Sequence, residues 1–211
     1  MPIPTQPRLA ARAPELAPDA DLSLARRWLE GHTPRDGDQG NLRRRIVGWI
    51  DRFPESAHLR SCLEGHLTAS ALVVDEALES VVLLHHKKLG RWLQPGGHCD
   101  GDANLAGVAW REASEETGLD HLELVPRIFD LDIHEIPERP GVPAHLHLDT
   151  RFLVVAPRSA APRGNEESRG VRWFDLDEAL EICDDASLDR MLRLLRDGAA
   201  ASPRRADGSP P

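Results

Sequence analysis

Apolar residues recur along this chain with two different periods, and the change of period separates its elements. After Asp21, residues Leu22, Ala25, Trp28 and Leu29 keep a helical spacing that predicts a short helix, terminated by Pro34. Asp36 to Gly40 reads as a turn. Leu42, Ile46, Trp49, Ile50 and Phe53 then recur at i, i+4, i+7, i+8 and i+11 and predict a stronger helix, stopped before Pro54. Its opening arginines, Arg43, Arg44 and Arg45, read as a solvated face rather than a phosphate site. From His66 onward the period shortens. His66 to Asp75 and Ser80 to His86 predict two strands with a short connection, and Glu123 to Ile136, Ala144 to Ala156 and Val171 to Phe174 predict more. The alternation is cleanest in Ala144 to Ala156, with His145, His147, Asp149 and Arg151 on one face and Leu146, Leu148, Thr150 and Phe152 on the other. A closing helix or pair of helices carries Leu188, Met191, Leu192 and Leu195 before Gly198. Pairing strands followed by helices predict an α/β fold around a mixed sheet.

One further helix carries the chemistry. Leu105, Val108 and Ala109 begin an apolar stripe, with Asp102 or Asn104 as its cap and Gly118 at its end. Continued at about 100° per residue, the stripe reaches Glu112 and Glu116, with Glu115 on its flank. Carboxylates at this spacing repel one another, and at the carboxyl-terminal end of a helix they also oppose its dipole. An acidic run is ordinarily a solvated face. Here it continues a buried stripe, follows a glycine-rich loop beginning at Pro95, and adjoins Arg111. Those features favour a hard divalent cation held by oxygen ligands, Mg²⁺ first and Mn²⁺ as its substitute.

Gly97, Arg111, Glu112, Glu115, Glu116, Gly118 and Leu119 resemble the box of the Nudix hydrolase family at the right spacing throughout. The family's first glutamate falls on Ala103; Asp102 is its neighbour, with a side chain expected to point elsewhere. The resemblance implies a Nudix-like mixed β-sheet sandwiched between helices, here with an amino-terminal helical extension. It also implies hydrolysis of a diphosphate linkage in a nucleoside diphosphate derivative. Glu112, Glu115, Glu116 and the Gly97 carbonyl are then the metal ligands, and Arg111 orients a carboxylate. The general base is a box glutamate or a distal one, for which Glu167 is the candidate beside Glu166. A nucleotide-binding sensor that has lost turnover is the alternative, with Ala103 as its support. An isoprenoid diphosphate isomerase of related fold needs a catalytic cysteine, for which Cys62 and Cys183 offer no context.

Composition narrows the partners. A net charge of −9 on 211 residues opposes binding to a nucleic-acid duplex, yet it suits a polyanionic small molecule bridged by a cation. Three scattered cysteines, Cys62, Cys99 and Cys183, form neither a disulfide framework nor a zinc pattern and fit a reducing compartment. Without a membrane-length apolar run or a signal-peptide core, the expected location is the cytoplasm. Pro- and Ala-rich residues 1–20 and residues 199–211 read as disordered tails, 21–60 as the helical extension and 61–198 as the hydrolase domain. Dimers are common among related proteins, so a homodimer is a candidate assembly.

Remaining polar residues are placed by the same reasoning. His98, in the glycine loop, is a candidate substrate contact, as are His145, His147 and Arg151 on the wet face of their strand. The row His145, His147 and Asp149 is a weaker candidate for a second metal site. Trp92, Trp173 and Phe174 are candidates for stacking on a base, with core packing as the ordinary alternative.

Overall fold

The computed structural model describes residues 6–166 and 168–200, the side chains of residues 199 and 200 excepted. Asp21 caps α1 (Leu22–Gly31) by accepting from the Ser23 amide, and its Leu22, Ala25 and Leu29 turn inward. α2 (Gly37–Arg52) starts earlier than its spacing predicts. Asp36 accepts from the Gln39 amide at 2.8 Å, so the expected turn from Asp36 to Gly40 becomes the helix's capped first turn. Arg43 donates to the His32 carbonyl and Arg44 pairs with Asn41, while Arg45 is exposed.

Among the described residues eight strands form one mixed sheet: β1 (Leu9–Ala10), β2 (Gly65–Val74), β3 (Ser80–His86), β4 (Trp92–Leu93), β5 (Gly96–His98), β6 (Glu123–Ile136), β7 (His145–Val155) and β8 (Ser168–Asp175). The main path runs β1-β6-β7-β2-β3-β4, with β5 on β2 and β8 on β3. β2 and β7 pair in parallel over their lengths, His66 beside His147 and Val74 beside Val155, and the other pairings are antiparallel. α3 (Leu105–Thr117) lies between β5 and β6 in sequence, and α4 (Leu176–Ile182) and α5 (Ala186–Ala200) close the chain.

Two apolar clusters cover the two faces of the sheet. Leu29 of α1, Ile46 of α2 and Val108 of α3 pack with Leu67, Phe152 and Val154 on one side. Leu188, Met191, Leu192 and Leu195 of α5 pack with Leu72, Val74, Leu153 and Phe174 on the other. The mixed sheet is therefore sandwiched between helices, as the family resemblance implies. On this second face β2 and β7 change character midway. Leu72 and Val74 lie under helix, whereas His66, Thr68 and Ser70, at alternate positions of the same strand face, do not join that cluster.

Residues 6–20 correct the expectation of a disordered amino terminus. Leu9 pairs with Leu124 across β1 and β6, and Leu16, at the end of a single 3₁₀ turn (Pro14–Leu16), is buried in the first cluster. Asn104, the cap of α3, donates to the carbonyls of Glu15 and Ala17 at 2.8 Å each. A Cβ on Gly107 would lie 2.5 Å from the Leu16 carbonyl oxygen, so the segment rests directly on the helix. Prolines and alanines suffice here because the helix supplies the partners. The expected carboxyl-terminal tail lies outside the described residues beyond 200. Among the described residues no helix is long and apolar enough to cross a membrane.

Candidate active site

An open cleft of about 1020 Å³ is lined by β2, β5, α3, β7 and the loop before β7. α3 delivers its acidic face there because Asn104 caps one end, accepting from the Gly107 amide at 3.3 Å, and Gly118 ends the other in the left-handed region at φ 58°. Glu112 is half-buried, Glu115 is exposed and Glu116 is only 7% exposed, and all three line the cleft. Glu116 accepts from the Gly96 amide at 2.8 Å, which holds β5 against the helix. A Cβ on residue 97 would stand 2.5 Å from Glu112 Oε2. Only glycine lets that carboxylate close on the β5 backbone. This set of carboxylates around a bare backbone suits a hard cation.

Arg111 donates to Asp102 at 3.1 Å and lies 3.8 Å from Glu112. Asp102 therefore points at Arg111, contrary to the expectation that its side chain points elsewhere. It also accepts from the amides of Asp19 and Asn104, at 3.1 and 2.9 Å. Ala103 is fully buried in the first cluster, so its position has no room for a solvated carboxylate. The partner of Arg111 comes from the residue just before Ala103, Asp102.

Of the expected substrate contacts, His98, His145 and His147 line the cleft and Arg151 does not. Its guanidinium, 1% exposed, donates to Asp149 at 2.7 Å, to Asp130 and Asp132 at 3.2 Å each, and to Ser187 at 3.1 Å. Burial alone would lower its pKa, but the three carboxylates outweigh that and raise it. With its donors spent inside the protein, Arg151 is a structural cation. Asp149 accepts from Thr68, Ser70 and Arg151, which removes it from the candidate metal row of His145, His147 and Asp149. Trp173 and Phe174 are core, and Trp92 packs edge-on against Phe174 outside the cleft. Glu167 lies outside the described residues. Cys99 is buried among apolar groups, and that burial pushes its thiol pKa well up, which disqualifies it as a nucleophile.

Two histidines that the spacing does not single out, His66 and His134, join the three that it does. His66 of β2 lies 5.0 Å from the rings of His98 and His145 and 5.1 Å from His147, and His134 lies 5.4 Å from His147. Burial lowers the pKa of His66, that of His98 to about 4 and that of His147 to about 2, so these rings are neutral at pH 7. The signal for His66 was the polar alternation His66, Thr68, Ser70 inside an otherwise apolar strand. Arg60 and Asp100 form a bidentate pair at the rim, at 2.6 and 2.8 Å. Leu63, Leu89 and Val142, exposed by 58, 51 and 45%, also line the cleft.

A family model described as the NUDIX domain matches residues 65–195. Among solved structures, the chain is similar to a C. elegans Ap4A hydrolase binary complex at 20% identity and a TM-score of 0.52, over 64% of this chain and 98% of that one. It is also similar to the MutT protein from Methanosarcina mazei Go1, at 20% identity and a TM-score of 0.51, over 63% of this chain and 94% of that one. At this identity the likeness establishes the fold. No curated protein matches the chain.

Proposed function

Since the chain belongs to the NUDIX domain family and is thereby a pyrophosphohydrolase, we propose that it cleaves a diphosphate linkage in a nucleoside diphosphate derivative. The observation that carries this reading is the constellation at β5: Glu116 bonded to the Gly96 amide and Glu112 closed onto Gly97. Glu112, Glu115, Glu116 and the Gly97 carbonyl would hold Mg²⁺, or Mn²⁺ in its place. When bound, the ion supplies charge neutralisation at the diphosphate oxygens and an acidified water for attack on phosphorus.

The chain's own groups do the rest. Arg111, fixed by Asp102, keeps the Glu112 carboxylate in place. Glu116, through the Gly96 amide, sets the distance between helix and strand. Glu115, exposed over the cleft, is the base that the described residues offer, with Glu167 as the distal alternative. Lys88 and Arg139 line the same cleft and offer charge to the phosphates, while His98, His145 and His147 wall it. The apolar rim of Leu63, Leu89 and Val142 suits a nucleobase or another flat group beyond the diphosphate. The sensor reading loses its support, because Asp102 supplies the contact whose absence Ala103 suggested. Three free cysteines agree with a cytoplasmic enzyme.

The test is release of phosphate-containing products from a panel of nucleoside triphosphates, dinucleoside polyphosphates and sugar nucleotides, with and without Mg²⁺. Turnover of at least one member, dependent on Mg²⁺ and reduced on the order of 100-fold or more in Glu116→Gln, is the expected result. Tight binding of one member without turnover of any would overturn it.

A further inference from the structure

We propose that His66, His98 and His147 form a second metal site, for a transition-metal ion of the Zn²⁺ class, distinct from the carboxylate site on α3. One ring nitrogen from each lies within 4.8 Å of the others. Register brings them together: His147 of β7 is directly beside His66 of β2, and β5 pairs His98 with Thr68, two residues along β2 from His66. Three strands far apart in the sequence thus converge on one point, and all three rings line the cleft.

Two observations point to a ligand rather than to packed rings. First, the Nε2 atoms of His66 and His147 are buried and have no hydrogen-bond partner, and His66 is 4% exposed. A buried polar atom without a partner is unfavourable unless something fills the gap. Second, His66 Nδ1 lies 3.3 Å from the Cys62 carbonyl. That carbonyl can only accept, so Nδ1 carries the proton and Nε2 presents its lone pair to the cluster. A second hydrogen bond of this kind is what orients metal-binding imidazoles.

The donor set selects the ion. Neutral imidazoles suit Zn²⁺, Cu²⁺ and Ni²⁺, whereas Mg²⁺ prefers the oxygens of α3. Tetrahedral coordination with bonds of about 2.0–2.1 Å needs the nitrogens about 3.3 Å apart. Side-chain rotation of His98 and His147, both only half-buried, supplies the contraction. Three protein ligands leave a fourth position, open to the cleft, for water or a substrate oxygen. His145 and His134 stand behind the triad, their Nδ1 atoms engaged with the Pro143 carbonyl and Asp132.

Calorimetric titration of the full chain with Zn²⁺ alone, in excess Mg²⁺, tests the site. Expected is one Zn²⁺ per chain, with affinity lowered on the order of tenfold or more in His147→Ala and again in His98→Ala. Glu112→Gln and Glu116→Gln should bind it as the parent does, and Co²⁺ should give the visible absorption of a tetrahedral site. Thermal unfolding supplies a second readout: Zn²⁺ should raise the midpoint of the parent and not of the His98→Ala variant, which remains informative if His147→Ala fails to fold. Zn²⁺ affinity that follows the glutamate variants, or that is unchanged in both histidine variants, would overturn the proposal. So would the absence of stoichiometric binding.

Discussion

Replacing Arg151 with methionine separates the structural reading of this residue from the substrate contact that its strand face suggests. Methionine fills much of the same apolar volume, so the perturbation is mainly electrostatic. Asp130 keeps Arg35 at 2.7 Å and Arg190 at 2.6 Å and remains compensated. Asp149, 4% exposed, keeps only the hydroxyls of Thr68 and Ser70 and loses its cation. Leaving one buried partner uncompensated costs about 3–5 kcal/mol, against about 0–1 kcal/mol for a surface pair. At about 2–4 °C per kcal/mol for a domain of this size, Arg151→Met should lower the unfolding midpoint by roughly 6–20 °C. Adding Asp149→Asn removes the stranded charge and should recover about half of the loss or more. Differential scanning calorimetry at pH 7 reads both shifts. A shift below about 2 °C for the single variant, or a double variant as unstable as the two losses summed, refutes the buried-cation argument.

Gly97→Ala should leave the unfolding midpoint within about 3 °C of the parent, because the group in its way is a movable carboxylate end; displacing Glu112 should nonetheless reduce Mg²⁺-dependent turnover on the order of tenfold or more, and unchanged kinetics would count against the proposed metal cradle. Ala103→Glu should not improve activity; burying a carboxylate at a fully enclosed position should destabilise the fold by about 3–5 kcal/mol in urea titration, and a neutral or stabilising outcome would contradict the packing described. The chelator-treated protein should lose stability on acidification below about pH 6.5, the unfolded histidine value. His98 and His147 have folded pKa values lowered to about 4 and about 2, so the unfolded chain takes up protons there that the folded chain does not. Their contribution is fully present above about pH 6.5 and is lost as pH falls towards about 4 for His98 and about 2 for His147. Histidine ring signals in NMR that titrate near pH 6.5 for both residues would contradict this.

Local patterning carried most of the fold. The strands Ser80 to His86 and Glu123 to Ile136 were legible to their end residues, because strand-forming composition is a local property. The acidic face of α3 was legible for the same reason, since a helical period is a local property. What escaped depends on distant partners. Asp36 to Gly40 holds residues that suit a turn as well as a helix start, and the Gln39 contacts with Leu131, at 3.0 and 2.9 Å, help tie that turn into the helix packed on β6. Arg151 looked like one more member of a wet strand face until the cations and carboxylates of β6 and α5 closed over it. The polar alternation of β2 marks His66, but its partners are set by the parallel register with β7, which no spacing within β2 encodes.

The first turn of α3 is finished by atoms from the start of the chain: the carbonyls of Glu15 and Ala17 on Asn104, and the Asp19 carbonyl on the Ala103 amide. The acidic helix is thus buckled into place by a leash that lies outside the region matched to the family, and clipping or pulling on that leash reaches the carboxylates proposed to hold the metal. A shortened version beginning at residue 61 would keep every box residue, yet it would surrender the fastening that holds them steady.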